Sequence, residues 1–512
     1  MFSNARVFAL VLAAAILGPR TALSDQPKQP TLKIRLLTGL SSYASKPGAP
    51  FTAVATSPYE VEGRVLIPSG SRIYGSVQRV KRVGFGVIHE RASLRLKFDY
   101  YQTPDGDQFP LDAKLLSVDN AREQVKPDGT IQGILAARNP NGLINGFWYR
   151  PDFRLVYRSL IGLTGAADQL WLRFGLGPIG AGAFLVIHCA MFRFPEPEIR
   201  LVPGTDMELE ARLSPEHLPS VAPATLAPVP DSLAHLVDEQ PREVTRPDGR
   251  PAPDLVNVVF VGSRDELTEA FLNAGWSTTD PSTLRASARV YSSFSAMQTY
   301  RSAPVSKLVY HGAEPDLVFQ KSLNTVSKRH HVRIWSAGTF EGKSVWLGAA
   351  THDTGVTFRA SAVEFVHKID PDIDTERSKI VDDLLFAGCS PSVGYLQPET
   401  PASGTGISTD ERIAVLFLET CTNSQKYASV ASMKSPGSRL TRLSRRLILE
   451  TRYYLVREQP YYWGYRLLVW RRSPSPESSS SAPVESNTAA PAVPAVSAEQ
   501  PSQTGLTPVG TR

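Results

Sequence analysis

Cysteine is scarce in this chain: Cys189, Cys389 and Cys421 are the whole complement of 512 residues. A low, odd count excludes a disulfide-stapled scaffold. Cys389 and Cys421 could still bridge in an oxidising compartment, the alternative being buried free thiols. No HExxH pair is present, which removes the fixed-spacing signature of a zinc hydrolase. No GxSxG elbow lies near the histidine-rich stretch described below, so Ser/His/Asp catalysis has no support. No GxxxxGK[ST] loop is available to cradle the phosphates of a nucleotide. Charge is moderate, with 20% charged residues and a formal net charge of +6, so where the charge sits matters more than its size.

What is present divides the chain. Residues 1–24 read MFSNARVFALVLAAAILGPRTALS: Arg6 ahead of an apolar run too short to span a bilayer, then Ala22 and Ser24 at the spacing of a signal-peptidase site. Export to the periplasm or cell envelope is the expectation. Residues 31–213 carry short β-branched runs broken by Gly, Pro and Ser, with a hairpin signal at Pro104–Asp105–Gly106–Asp107. Leu94, Leu96 and Phe98 alternate with Arg95, Lys97 and Asp99, the pattern of a sheet wet on one side. Within this region residues 174–192 are uncharged and rich in glycine; they are long enough to cross a membrane or to form a buried hairpin. Residues 214–253, dense in Pro, Ala and Ser, read as an extended linker. Strand and helix signals resume at residue 254 and continue to 420, including the capping box Ser263…Glu266 and an apolar helical stripe of Ile373, Ile380, Val381 and Leu384. The fold class expected is multidomain: an N-terminal all-β barrel or sandwich, then a C-terminal α/β or α+β domain.

Two resemblances attach to these residues. IPSGSRIYGSV, with Pro68, Gly70 and Gly75, resembles the β-barrel domain of TrbI-type secretion-channel proteins, which implies a barrel in the cell envelope. VVFVGSRDELTEAFLNAGW, APVSKLVYHGAEPDLVFQK, RHHVRIW, HDTGVTF and HKIDPDIDTERSKIVDDLLFAG, in that order over residues 254–420, resemble the LssY C-terminal domain. That family often accompanies a membrane phosphatase bundle, for which this chain has a β-domain instead. The resemblance names a module without naming a substrate.

Residues 329–377 hold four of the nine histidines and a group of carboxylates. His331, His352 and His367, at three strand ends, are the candidates to converge on Asp353 and Asp370 as a catalytic set. Such a set could bind a divalent metal and activate water. Alternatively Arg329, His330, Arg333 and Arg377 could hold an anionic ligand, with a carboxylate–His pair moving protons. Against both, Asp370, Asp372, Asp374 and Glu376 are explained by the start of a helix, where a cap and the dipole favour negative charge.

Residues 434–472 carry ten basic residues against two acids, a surplus of eight that exceeds the chain's own +6. Arg439, Arg442, Arg445 and Arg446 lie among Leu440, Leu443, Leu447 and Ile448 as an amphipathic basic helix, and RYYLVREQPYYWGYRLLVW follows. For an exported chain the matching partner is an anionic lipid or cell-wall surface rather than nucleic acid. Residues 473–512 are Ser/Pro/Ala-rich and read as disordered. Three functions follow: an envelope protein binding an anionic ligand, a phosphoesterase-like hydrolase, or a structural protein assembling as a homo-oligomer through its β-domain.

Overall fold

The structure is a computed structural model that describes residues 30–86, 89–120, 122–136, 196–213, 226–295, 298–322, 328–359, 364–398, 407–423 and 437–452. The expected signal segment, the apolar segment 174–192 and the C-terminal tail lie outside these residues. Among the described residues no helix is long and apolar enough to cross a membrane.

The chain is multidomain and mostly β, with few helices. Its first part is a nearly closed, barrel-like sheet. In space the strands run Gln124–Val125, Ile131–Leu135, Arg91–Gln102, Arg72–Lys81, Pro50–Ala55, Leu32–Leu36, Asp206–Arg212 and Asp112–Val118, every neighbour antiparallel; Gln108–Pro110 pairs on Arg91–Gln102. The alternation on Arg91–Gln102 works as its sequence dictates: Ala92, Leu94, Leu96 and Phe98 are buried, and Lys97 faces water. They meet Leu32, Ile34, Phe51, Ile73 and Leu209 in one core.

The hairpin turn forms where the sequence places it, with Gly106 at φ 102°. Gly70 is likewise a turn residue at φ 84°. Gly75 is not. It sits in mid-strand, where a Cβ would stand 2.3 Å from the Lys97 carbonyl oxygen and 2.5 Å from the Phe51 ring. Its lack of a side chain is what lets the Phe51 ring, which meets Phe98 edge-on at 5.6 Å, lie against the backbone.

The C-terminal sheet runs Ser277–Thr278, Leu317–Ser322, Arg329–Phe340, Lys343–Arg359, Val258–Val261, Ile413–Phe417 and Val393–Leu396, with Glu364–Ile369 paired to Lys343–Arg359. Val258–Val261 lies parallel to Ile413–Phe417 and the other pairs are antiparallel. This sheet is buried on both faces, which is why its central strands are continuously apolar. On one face Val258, Phe260, Val332 and Ile334 pack under the helices Arg264–Asn273 and Ile373–Phe386. On the other Val259, Val261, Trp335 and Leu347 pack against Leu233 and Val237 of the helix Asp231–Asp238.

That last helix corrects the linker. Residues 214–253 read as a linker from composition, yet Asp231–Asp238 is helical, and Glu243–Thr245 pairs with Pro251–Leu255. Two apolar residues four apart, Leu233 and Val237, are enough to seat one short helix on a waiting sheet face. The capping box at Ser263 and Glu266 is present as expected. The later helix begins at Ile373, capped by Asp372 rather than Asp370. Cys389 and Cys421 are disulfide-bonded across a separation of 32 residues.

Gly75→Ala is expected to destabilise the protein by roughly 1–3 kcal/mol, the usual cost of overpacking. A lower urea midpoint would register it; an unchanged midpoint would mean the Phe51 ring moves aside freely.

Candidate functional site

The register of two strands decides which histidines can meet. Arg329–Phe340 pairs with Lys343–Arg359 so that His330 lies opposite His352 and His331 opposite Thr351. Neighbours on a strand face opposite ways. His330 and His352 therefore share the face covered by the helix Ile373–Phe386, and their rings stack at 4.5 Å. His331 looks the other way, where its Nε2 lies 2.8 Å from Thr351 Oγ1.

The expected convergence of His331 with His352 thus does not occur. Asp353 belongs with His331: its Oδ2 lies 3.7 Å from His331 Nδ1 and accepts from Arg329 Nε at 2.9 Å. Asp370 belongs with His352, at 3.9 Å. His367 stands opposite Val356 in the strand Glu364–Ile369, and its side chain lies outside the described residues.

The proposed anion-binding residues already have internal anions. Arg333 donates to Asp254 at 2.6 Å and to Ser306 Oγ at 3.0 Å. Arg377 pairs with Asp374 and Asp410 at 3.0 and 2.8 Å and lies over the Tyr395 ring. Arg329 has Asp353 and Gln320.

His330 has two carboxylates. Its Nδ1 meets Glu376 Oε2 at 2.5 Å and its Nε2 meets Asp119 Oδ2 at 2.8 Å. Asp119 comes from the barrel-like sheet, just past Asp112–Val118, 211 residues away in sequence. Its backbone N–H is fixed to the Asp206 carbonyl at 2.9 Å. One ligand-type atom from each of Asp119, His330 and His352 falls within 4.8 Å of the others.

Beside this triplet runs a buried ionic cluster that joins the same two domains. Arg35 of the barrel is fully buried; it donates to Asp206 through Nε at 2.5 Å and also pairs with Asp383. Lys379 reaches Asp206 at 2.6 Å and Asp383 at 2.9 Å, and Lys321 reaches both at 3.2 and 3.0 Å. Trp276 Nε1 donates to Asp383 at 2.9 Å, and Lys33 pairs with Asp382 at 2.6 Å. Burial alone would raise the pKa values of Asp206 and Asp383, but Arg35, Lys321 and Lys379 hold both carboxyls well below the ordinary range. Burial drives the Lys321 amine down to about 8.

The same balance sets the histidines apart. Burial disfavours a charged His330, yet Asp119 and Glu376 more than reverse this and raise it to about 10. Burial and then the neighbouring positive His330 depress His352 to about 4. One ring is thus a buried imidazolium and the other stays neutral. Sequence reasoning missed Asp119, Arg35 and Asp206, which no local signal connects to the histidines. Asp383, next to the stripe residue Leu384, did carry a signal as an acid on a helix face otherwise turned inward.

A second surface lies on the helix Arg439–Arg452. Arg445 points inward, donating to the Gly84 carbonyl at 2.6 Å, to Glu196 at 2.7 Å and to Glu198 at 3.0 Å. Leu449 joins the barrel core beside it. Leu440, Leu443 and Leu447, at spacings of three and four, point outward and are 78%, 58% and 45% exposed, with Ile448 at 40%.

A folded-state pKa raised above the unfolded value means that His330 stabilises the fold fully below about pH 6.5, and that this contribution is lost as pH rises through about 10. In ¹⁵N-histidine-labelled protein one imidazole is expected to remain doubly protonated at pH 8.5, its signal vanishing in His330→Asn. Nine neutral rings at that pH would refute the buried imidazolium.

Among solved structures, ComB10 of the Com type IV secretion system of Helicobacter pylori is similar at 12% identity, covering 35% of this chain and 82% of that chain with a TM-score of 0.18. At that score the likeness carries no argument about assembly. No curated protein matches the chain significantly. The family model for the LssY C-terminus matches residues 237–413, which take in the strands Arg329–Phe340 and Lys343–Arg359 with their paired histidines: the chain carries an LssY C-terminal domain.

Proposed function

We propose that this chain is an exported, envelope-associated scaffold in which the barrel-like sheet and the LssY C-terminal domain act as one unit that docks on an anionic lipid surface. The observation that carries this reading is the orientation of the helix Arg439–Arg452, arginine inward and leucines outward. Three leucines on one face offer an apolar stripe to the acyl boundary, while Arg442, exposed on the same helix, supplies charge for phosphate headgroups. The hydrophobic segment at residues 1–24 supports export, and the Cys389–Cys421 bond is in keeping with an oxidising compartment.

The anionic partner is assigned to this helix rather than to Arg329, Arg333 and Arg377, because those guanidiniums already pair with carboxylates of this chain. A phosphoesterase using His331, His352, Asp353, His367 and Asp370 has less support, since His331 with Asp353 and His352 with Asp370 lie on opposite faces of one sheet.

Co-sedimentation with vesicles of phosphatidylglycerol and phosphatidylcholine tests the reading. Leu440→Ser/Leu443→Ser should lower the partition coefficient at least about tenfold, given 1.5–3 kcal/mol for each fully buried leucine. Its fold should be unchanged, because both side chains face water in the free protein. Equal binding by the variant, or equal binding to vesicles lacking the anionic lipid, would overturn it.

A further inference from the structure

We propose that Asp119, His330 and His352 form a binding site for one zinc-type divalent metal ion, a staple between the two domains with Asp119 supplied by the barrel and both imidazoles by the LssY C-terminal domain. Two imidazoles and a carboxylate are a donor set suited to Zn²⁺ and its first-row neighbours rather than to Mg²⁺ or Ca²⁺. Metal–ligand bonds of about 2.0–2.2 Å place the donor atoms around one ion roughly 3–4 Å apart. The three groups here already fall within 4.8 Å of one another.

Two features distinguish this triplet from a chance polar cluster. The first is Glu376 behind His330, its Oε2 2.5 Å from Nδ1. A carboxylate on the far nitrogen fixes the tautomer and ring angle of a metal-binding histidine and leaves Nε2 as the donor. The second is His352 Nε2, which is buried and has no hydrogen-bond partner among the described residues. A buried nitrogen lone pair with nothing to accept is costly unless something electrophilic fills the space. The apolar floor of Val332 and Ile334, with Trp276 6.3 Å from the His330 ring, restricts water on the domain side. Three protein ligands leave a fourth position for water.

On loading, the ion takes the place of any proton on His330 Nε2, which leaves to solvent, while Nδ1 keeps its proton and donates it to the Glu376 carboxylate. The ion then bonds Nε2, a nitrogen of His352 and the Asp119 carboxylate. The site is independent of the helix Arg439–Arg452 and of its lipid partner.

Titration of the full-length, chelator-treated protein with Co²⁺ at pH 8 tests this directly. One equivalent is expected to bind with a visible absorption band of a tetrahedral nitrogen–oxygen site. Asp119→Asn, which keeps the size and the hydrogen-bond reach of the native side chain, should abolish the band, as should His352→Gln. Glu376→Gln should weaken binding by about 10–100-fold. His235→Ala, whose imidazole is exposed on a distant helix, should leave the titration unchanged. Circular dichroism identifies any variant that fails to fold, and Asp119→Asn and His352→Gln alter different domains, so either alone is decisive. Absence of a band in the wild-type protein, or a band that survives both substitutions, would overturn the assignment.

Discussion

Arg35 lies wholly inside the protein, and that single fact ties the two domains together. A guanidinium taken out of water is tolerable only when its charge is met and its donors are filled. Asp206, across the barrel-like sheet, meets it from its own domain, and Asp383, on the helix Ile373–Phe386, meets it from the other. Lys321 and Lys379 then neutralise the two carboxylates. Outward from these, Lys33 pairs with Asp382, and His330 lies between Asp119 of the barrel and Glu376 of the helix Ile373–Phe386, so the polar network runs on to the histidines.

Such a cluster fixes register more than it adds stability. Apolar surfaces of similar shape can slide, and well-packed hydrophobic replacements of buried ion pairs are often neutral or stabilising. Removing one partner is different, because it strands a buried charge. The ion pairs Lys33–Asp382 and Arg35–Asp383 hold the barrel strand Leu32–Leu36 against the helix Ile373–Phe386, and in that alignment Asp119 meets His330. The histidine triplet is a consequence of the docking, not an independent feature of either domain.

This explains how far the sequence could be read. The barrel strands, the hairpin at Gly106 and the capping box at Ser263 follow from periodicity and local chemistry, and they are legible in the sequence. The helix at Asp231 was hidden by proline-rich flanks, since its seat is a tertiary surface that composition does not reveal. For the histidines, alternation correctly separates His330 from His331, but only the pairing register tells which of them meets His352. A register depends on where the turn at Glu341–Gly342 falls, both at positive φ, and a shift of one residue would have brought His331 across instead. Asp119 was beyond reach because its partner lies in another domain.

The helix Arg439–Arg452 obeys the opposite logic to the rest of the surface. A helix serving only to cover the barrel would bury its leucines and leave its arginines in water. Here Glu198, already accepting from Ser42 Oγ and the Val83 and Gly84 amides, needs a cation to balance it, and Arg445 fills that need. Satisfying Glu198 rotates the helix, and the rotation turns Leu440, Leu443 and Leu447 outward as a continuous stripe. The anchor is thus electrostatic and internal, and the face that carries Leu440, Leu443 and Leu447 is the one left exposed.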